Sequence, residues 1–252
     1  MLRSVSSSLV LMVASALLFG VAHAAEVKVA VAANFTAPMK QIAQRFEAET
    51  GHRVKLSFGG TGQFYAQIKN GAPYDLLFAA DQKIPTKLVQ EGVALTETRF
   101  TYAQGRLVLW SKNPGYVDDE GSVLRDGSFK QIAIADPKLA PYGAATMQVL
   151  GRLGLTSQLE KKIVQGKNIG QAYQFVSSGN ALLGFVALSQ VYRNGTIENG
   201  SGWIVSTDLY DPIRQDVVLL KSGKANEAAK SLLEFVRTDA IKSLIRSFGY
   251  GV

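Results

Sequence analysis

Two stretches early in the chain share one pattern, in which an apolar run leads directly into small polar residues and then into an amphipathic helical pattern. They are residues 27–36 (VKVAVAANFT) and residues 54–63 (VKLSFGGTGQ). Where a strand ends at the start of a helix, unpaired backbone N–H groups and the positive end of the helix dipole lie together. A junction of this kind is suited to hold an anion. The pattern predicts an α/β fold that presents anion-binding groups at the ends of its strands.

The first 24 residues have the pattern of a secretory signal peptide. Arg3 precedes an apolar run at residues 9–19, and the small-x-small sequence Ala22-His23-Ala24 follows that run. The run is too short to span a bilayer, and no later stretch reaches the roughly 20 apolar residues that a membrane helix needs. We predict that cleavage after Ala24 removes 24 of the 252 residues and leaves a chain of 228 that is soluble outside the cytoplasm.

Composition excludes several functional classes. The chain has no cysteine, which rules out disulfides, thiol catalysis and cysteine metal sites. Its 27 basic and 20 acidic residues give a net charge of +7, but the basic residues are scattered and the longest basic run is Lys161-Lys162. Nucleic-acid binding needs a concentrated basic patch, so we predict no nucleic-acid partner. A dispersed positive charge instead attracts small anions, and salt weakens that attraction.

Strand and helix patterns alternate along the chain, which predicts mostly parallel, doubly wound sheets. In the first half, strands are predicted at residues 27–33, 54–58 and 74–80, with helices at 38–50, 63–69 and 83–91. In the second half, strands are predicted at 106–110, 131–135, 181–188 and 216–220, with helices at 143–153, 170–177 and 225–246, the last divided near residue 238.

This order predicts two α/β lobes joined by two crossings of the chain. We assign residues 25–104 and 210–252 to the first lobe and residues 105–209 to the second. The final helical segment is expected to cover the sheet of the first lobe. Ligands of open α/β sheets bind outside the carboxyl ends of the strands, which here face a cleft between the lobes.

Four places in the chain have polar or small residues where a predicted strand ends or a helix begins. Asn34 follows the first strand, Thr61 lies among three glycines that allow successive N–H groups to converge, Tyr142 lies in residues 136–143 (DPKLAPYG), and Ile169 begins a helical pattern. Each also has an ordinary interpretation: a helix cap for Asn34, a flexible turn around Thr61, a packing role for Tyr142 and a plain loop at Ile169. Because the four lie at equivalent places in the topology, together they favour one shared anion site.

The residues that most enzymes use are scarce. After the predicted signal peptide the chain has one histidine, His52, directly after the helix-ending Gly51. The sequence contains no G-x-S-x-G elbow, no phosphate-loop motif and no His/Asp/Glu cluster with metal-ligand spacing. We therefore predict a binding protein that needs no cofactor and is not an enzyme.

Four segments carry a resemblance to a known family: VAANFT at residues 31–36, GGTGQFYAQIKNGAPYDLLFAAD at 59–81, ADPKLAPYG at 135–143 and SSGNALLGFVALSQV at 177–191. Through them the chain resembles, over essentially its whole mature length, the periplasmic molybdate-binding proteins of ABC-type uptake systems (the ModA type). The resemblance implies a two-lobed periplasmic-binding-protein fold, type II-like, with the ligand cleft between the lobes. It also implies a monomer in the periplasm that captures molybdate, and tungstate as well, and delivers it to an inner-membrane ABC permease.

In this family, neutral hydrogen-bond donors from both lobes hold the oxyanion, and no protein atom bonds to the molybdenum itself. By motif, the resemblance implies that Asn34 and Thr61 supply side-chain and backbone donors, and that the N–H groups of Tyr142 and Ile169 complete the site. Asn34 stands where many relatives have serine, and Ala187 stands where a tyrosine hydroxyl often reaches the ion. A fifth donor is therefore either missing or replaced by the hydroxyl of Tyr142 or of Ser189.

The chemistry of the ligand agrees with a neutral site. Molybdate, tungstate and sulfate are dianions without a proton at neutral pH, so they only accept hydrogen bonds, whereas a phosphate that keeps a proton also needs an acceptor. Asp81 and Asp136 lie at neighbouring strand ends and could supply an acceptor, unless they cap loops or pair with lysines. Another oxyanion such as sulfate, or a small organic acid paired with Arg106 or Arg214, remains the alternative ligand.

Overall fold

The computed structural model describes residues 24–252, so the predicted signal peptide lies outside it except for its last residue. The strands are β1 (Glu26–Ala32), β2 (Arg53–Gly59), β3 (Leu76–Phe78), β4 (Phe100–Gly105), β5 (Leu107–Ser111), β6 (Ile132–Ala135), β7 (Ile163–Gly166), β8 (Leu183–Ala187), β9 (Tyr192–Arg193), β10 (Thr196–Ile197), β11 (Ser201–Ile204) and β12 (Ile213–Leu219). The α-helices are α1 (Thr36–Thr50), α2 (Thr61–Lys69), α3 (Lys83–Gln90), α4 (Val123–Asp126), α5 (Pro141–Arg152), α6 (Thr156–Leu159), α7 (Ile169–Ser177), α8 (Glu227–Arg237) and α9 (Asp239–Ser247).

The strands form two five-stranded sheets, one in each lobe, and a small separate hairpin of β9 and β10. The first sheet has the order β2-β1-β3-β12-β4, and the second has the order β11-β5-β8-β6-β7. In each sheet four strands run in one direction, and one strand, β12 or β5, runs against them. The predicted α/β fold of two lobes with mostly parallel sheets is confirmed.

The two strands that run against their neighbours are those that follow the passage of the chain from one sheet to the other. β4 ends at Gly105 and β5 begins at Leu107, so Arg106 alone separates the two sheets at the first passage. The chain returns to the first sheet between β11 and β12. The residues that connect the two sheets belong to neither sheet, so the strand pairing does not assign them to a lobe. The lobe boundaries at residues 104 and 210 therefore stay predictions.

Four helices, α1, α2, α5 and α7, begin one or two residues before their predicted starts, and for the last three this difference matters for the cleft. α2 begins at Thr61, α5 at Pro141 and α7 at Ile169, where the sequence pattern predicts 63, 143 and 170. Proline suits a first helical position because its fixed φ fits the helix and an N–H there would lack a partner. The Oδ1 of Asn168 caps α7 by accepting from the N–H of Gln171 at 3.1 Å. The earlier starts place three of the candidate residues in first helical turns.

The sequence patterns do not predict β4, β7 and β11. Each of these strands lies at an edge of its sheet, and all four residues of β11 are only partly buried. An edge strand pairs on one side only and needs no continuous apolar run, so these three strands lack the signal on which the prediction depends. The edge strand β2 is predicted because its apolar residues alternate in the sequence VKLSF. β3 is shorter than the predicted strand at residues 74–80.

Both faces of each sheet are covered. In the first lobe, Val27, Val29 and Val31 of β1 pack against α1, α8 and α9, while Ala30 packs with residues of α2 and α3 on the opposite face. The C-terminal helices therefore cover the first sheet, as the sequence predicts. In the second lobe, α5 packs on one face of β6 and Val176 of α7 lies on the other. Among residues 24–252, no helix is both long and apolar enough to cross a membrane.

Candidate functional site

A small cavity lies between the lobes, where β1 and β2 end and where α2, α5 and α7 begin. The centre of a water molecule can occupy a volume of about 10 Å³ inside it. That volume is close to what a single bound water needs. The four predicted site residues, Asn34, Thr61, Tyr142 and Ile169, all line it, and none is more than 4% exposed. Its lining is completed by Ala32, Ala33, Gly59, Gly60, Ala80, Ala140, Pro141 and Asn168. The structure thus brings together four residues that are far apart in the sequence.

Backbone N–H groups surround this central cavity. Thr61 and Ile169 are the first residues of α2 and α7, and Tyr142 is the second residue of α5. N–H groups at these positions have no carbonyl partner inside their own helix, and no other group of residues 24–252 accepts from them. Asn34 is the middle residue of a 3₁₀ turn, Ala33–Phe35, that follows β1. Three helix starts, each with the positive end of its dipole, therefore meet at one cavity.

The hydroxyl of Thr61 is oriented by the backbone that follows β3. Its Oγ1 accepts from the N–H of Ala80 at 2.9 Å. A hydroxyl that accepts this bond keeps its own proton for a second partner. Thr61 can therefore offer a side-chain donor as well as its backbone N–H.

Two glycines allow the elements around the cavity to approach each other. A Cβ atom on Gly60 would lie 3.3 Å from the Cβ of Asn168 in the opposite lobe and 3.1 Å from the Oε1 of Gln63. A Cβ atom on Gly143 would overlap the carbonyl oxygen of Ala135 at the end of β6. A side chain at either position would push the start of α2 or α5 away from the cavity.

Within the described part of the chain, residues 24–252, no charged residue lines the central cavity. Asp81 and Asp136, the two carboxylates that the sequence places near it, bond to backbone groups instead. The Oδ1 of Asp81 accepts from the N–H of Ile84 at 2.7 Å, and the Oδ1 of Asp136 accepts from the N–H of Lys138 at 2.8 Å. Both carboxylates therefore cap loops, which is one of the two roles predicted for them.

A second hollow between the lobes has the opposite electrostatic character, and we call it the charged pocket. It has a volume of about 300 Å³, and its lining includes Asp81, Lys83, Asp211 and Arg214. Arg214 thus lies in this pocket and does not line the central cavity, while Arg106 is exposed between β4 and β5. Neither arginine considered for an organic acid lies at the central cavity.

A buried network of neutral side chains joins the lobes beside the central cavity. Gln215 of β12, which is fully buried, donates from Nε2 to the hydroxyl of Tyr142 at 3.0 Å. Its Oε1 accepts from the Nδ2 of Asn34 at 2.7 Å and from the hydroxyl of Tyr102 at 3.0 Å. The Nδ2 of Asn34 also donates to the hydroxyl of Tyr250 at 2.9 Å. Both side-chain donor protons of Asn34 are therefore engaged within the protein.

The two hydroxyls considered for a fifth donor also belong to this network. That of Tyr142 bonds to Gln215, and the Oγ of Ser189 donates to the carbonyl of Asn34 at 2.8 Å. Ser189 and Ala187 do not line the central cavity. Burial raises the pKa of Tyr142, so its phenol stays neutral at physiological pH and adds no negative charge beside the cavity.

Gln215 and Tyr250 belong to this network but are not predicted by any of the sequence patterns. They contact Asn34 across separations of 181 and 216 residues, and neither lies in a recognisable motif. The one local signal is a glutamine placed just before the apolar run of β12, since a polar side chain that enters a buried strand needs buried partners.

Among residues 24–252, no group of three or more His, Asp or Glu residues is placed to hold a metal ion. The Nδ1 of His52 accepts from the N–H of Ala25 at 3.2 Å, and its ring stacks on Phe46. These contacts fasten the start of β1 to the end of α1.

The chain is similar to bacterial proteins that bind solutes outside the cytoplasm, in sequence and in structure. The family model for bacterial extracellular solute-binding proteins matches residues 27–251. The molybdate-binding protein ModA of Azotobacter vinelandii is 56% identical over 246 residues, which cover 98% of each chain. The ModA protein of Rhodobacter capsulatus is 52% identical over 229 residues, which cover 91% of this chain and 89% of that one. The solved structure of the A. vinelandii periplasmic molybdate-binding protein matches with a TM-score of 0.86 at 43% identity, over 90% of this chain and 99% of that one.

Proposed function

This chain belongs to the family of bacterial extracellular solute-binding proteins, and from that premise we propose that it captures molybdate in the periplasm and delivers it to the permease of an ABC transporter. Two relatives that are more than half identical to it bear the name molybdate-binding protein. Tungstate has the same charge and tetrahedral shape, so we propose it as a second ligand.

The observation that carries this proposal is the neutral lining of the central cavity. Its polar groups include the N–H groups of Thr61, Tyr142 and Ile169 and the hydroxyl of Thr61, and no carboxylate lines it. A dianion without a proton accepts hydrogen bonds and gives none. Each hydrogen bond to a charged partner contributes about 1.5–3 kcal/mol. A cavity built of donors therefore favours molybdate over a phosphate that still carries a proton.

The donors come from both lobes, so the complete site requires the lobes to be together. Asn34 and Thr61 follow strands of the first sheet, whereas Tyr142 and Ile169 begin helices that pack on the second. An anion that bonds to both sets stabilises the closed form over the open one. We propose that the permease recognises this closed form.

A groove beside the central cavity offers a route for the anion. It has a volume of about 580 Å³, shares Asn34, Gly59 and Asn168 with the cavity, and has Lys167 in its lining. The positive charge of Lys167 attracts anions to the groove without entering the cavity.

We propose no catalytic step and no cofactor for this site. Of the residues that the structure describes, 24–252, no His, Asp or Glu lines the central cavity, so the side chains that most often act as general bases or as metal ligands are absent from it. We further propose that the protein acts as a monomer, since one chain supplies all four binding residues.

Isothermal titration of the mature protein with molybdate, tungstate, sulfate and phosphate at pH 7.5 tests the proposal. We expect one molybdate or tungstate per chain, sulfate binding at least about tenfold weaker because its smaller body does not reach every donor, and no phosphate binding. Absence of heat from all four anions would overturn the oxyanion function. Tightest binding of sulfate would assign the same site to another ligand.

A further inference from the structure

One buried side-chain atom in residues 24–252 has no hydrogen-bond partner, and it is the Oδ1 of Asn34. Asn34 lines the central cavity and is 2% exposed. Because its Nδ2 donates to Gln215 and Tyr250, the free end of this amide is an acceptor. An acceptor oxygen beside a dianion is repulsive, since neither partner has a proton to share. In this orientation, with both Nδ2 protons engaged inside the protein, the amide offers a bound oxyanion no side-chain donor.

A half-turn of the Asn34 amide removes the conflict. The two ends of an amide have the same shape, so the turn exchanges donor and acceptor without moving other atoms. The Nδ2 then becomes the free end, and the Oδ1 accepts from the hydroxyl of Tyr250. That hydroxyl redirects its proton from the carbonyl oxygen of Asn34, to which the Oγ of Ser189 still donates. The Oε1 of Gln215 would then face the Oδ1 of Asn34, and two acceptors cannot bond to each other. Gln215 must therefore turn its own amide so that its Nε2 donates to Asn34. The two amides are therefore coupled.

The other neighbours of Gln215 fit the turned arrangement. Its Nε2 then donates to Asn34 and to the hydroxyl of Tyr102, which is able to accept because it donates to the carbonyl of Ala79 at 3.0 Å. Its Oε1 then accepts from the hydroxyl of Tyr142. Burial raises the pKa of both tyrosines, so both hydroxyls keep the protons that these bonds need. The free group left at the Asn34 side chain is now a donor.

We propose that Gln215 is a positioning residue that holds the Asn34 amide with its Nδ2 directed at the oxyanion, and that Tyr142 of the opposite lobe holds Gln215 in turn. This inference rests on the proposed oxyanion function and extends it, because Gln215 does not line the central cavity. Gln215 lies on β12 of the first sheet, and Tyr142 lies on α5 of the second lobe. Their bond forms only when the lobes are together, so closure of the cleft and orientation of the Asn34 donor are one event.

A double-mutant cycle measured by molybdate titration tests this role. Gln215→Met keeps the length of the side chain and removes both polar ends. We expect it to weaken binding about tenfold in the wild-type background, and Asn34→Ala to weaken binding about 10- to 100-fold, which corresponds to one hydrogen bond to a charged partner. In the Asn34→Ala background, Gln215→Met should have no further effect beyond about twofold. The matched control Gln44→Met, at an exposed position of α1 away from both hollows, should bind like wild type.

Equal losses from Gln215→Met in both backgrounds would overturn the positioning role, because the glutamine would then act without Asn34. Absence of heat with wild-type protein would instead overturn the proposed function. Melting temperatures of the unliganded variants show whether each variant folds.

Should Gln215→Met fail to fold, neutron diffraction from deuterated wild-type crystals grown with molybdate reads the same answer directly. A deuterated amide nitrogen of Asn34 at the oxyanion supports the proposal. The amide oxygen of Asn34 at that position overturns it.

Discussion

Two hollows lie between the same two lobes, and they differ in the properties that decide binding. The volume that the centre of a water molecule can occupy is about 10 Å³ in the central cavity and about 300 Å³ in the charged pocket. The lining of the central cavity is neutral, whereas that of the charged pocket contains carboxylates and cations. The carboxylates of the pocket already have partners: the Oδ1 of Asp81 accepts from the N–H of Ile84 at 2.7 Å, and Asp211 accepts from Gln148 at 2.7 Å and pairs with Arg152 at 3.6 Å. The central cavity instead holds helix N–H groups from which no group of residues 24–252 accepts.

The difference shows how a protein can hold a doubly charged ion without a buried counter-charge. A lysine or arginine in so small a cavity would cost several kcal/mol whenever the ligand is absent. Backbone N–H groups and a hydroxyl carry only partial charges. Their burial in the unliganded cavity therefore costs less desolvation free energy than burial of a full charge. Their direction is fixed by helices that the rest of the lobe stabilises. The backbone N–H groups therefore lose no side-chain conformational entropy when the ion binds. The larger pocket is the weaker candidate because two carboxylates, Asp81 and Asp211, line it and would repel a dianion.

The largest expected effect comes from placing a carboxylate in the neutral cavity with Thr61→Asp. The new charge lies beside the dianion and replaces the hydroxyl donor, and like charges in such contact cost several kcal/mol. Molybdate affinity should fall by more than about 100-fold. Folding should persist, because an acidic residue at a helix start is favourable by about 0.3–1 kcal/mol and its oxygen can accept from the N–H of Ala80. Titration and the melting temperature without ligand measure the two quantities.

Lys83→Gln is the matched control, since it changes the net charge by the same amount in the charged pocket. Lys83 is exposed, and screening by salt should limit its effect on affinity to about threefold. Similar losses from the two variants would mean that net charge alone governs binding, and the contrast between the two hollows would then have no functional meaning.

The sequence predicted the starts of the helices around the central cavity to within two residues, because each start depends on neighbours in the chain. Pro141, Asn168 and the glycines around Thr61 fix where helices begin, and those starts determine which N–H groups stay free. The position of Gln215 beside Asn34 follows instead from how β12 pairs within the first sheet and how the lobes meet.

The edge strands β4, β7 and β11 escaped prediction for a related reason. These strands form because they pair with a neighbouring strand of the sheet, and no local apolar run marks them in the sequence. Local patterns thus predict the helix starts around the central cavity, while the bonds between Asn34, Gln215 and Tyr142 become visible only in the tertiary structure.

A smaller effect is expected at the first passage between the lobes with Gly105→Ala. A Cβ atom at this position would overlap the hydroxyl of Tyr142 and lie 2.5 Å from the Nε2 of Gln215. The added methyl group should therefore hold the second lobe away from the first and lower molybdate affinity about tenfold, with less compaction on ligand addition in small-angle scattering.

The control for this variant is Gly151→Ala near the end of α5, where an added Cβ meets no atom within 4 Å. It should stabilise the protein by about 0.5–1 kcal/mol through helix propensity and leave affinity unchanged. Full compaction and wild-type affinity in Gly105→Ala would show that contacts at this passage do not govern closure.

The smallest expected effect concerns Asp81, which lies in the charged pocket directly after Ala80 of the central cavity. Burial raises the pKa of this carboxyl above its ordinary value, and the nearby Asp216 carboxylate adds to the effect. A raised pKa in the folded state means that ionisation of Asp81 costs stability, so this cost is present at neutral pH and disappears as the pH falls through the raised value. Asp81→Asn keeps an oxygen for the N–H of Ile84 and carries no charge.

The variant should therefore melt at a higher temperature than wild type at pH 7.5. The difference should shrink as the pH falls and vanish below the ordinary Asp pKa of 3.8. Molybdate affinity should rise about two- to threefold at low salt, because one negative charge near the dianion is removed and salt screens the remainder. A melting difference that does not change with pH would show that Asp81 acts through its cap alone. In that case the charged pocket and the central cavity would be electrostatically independent.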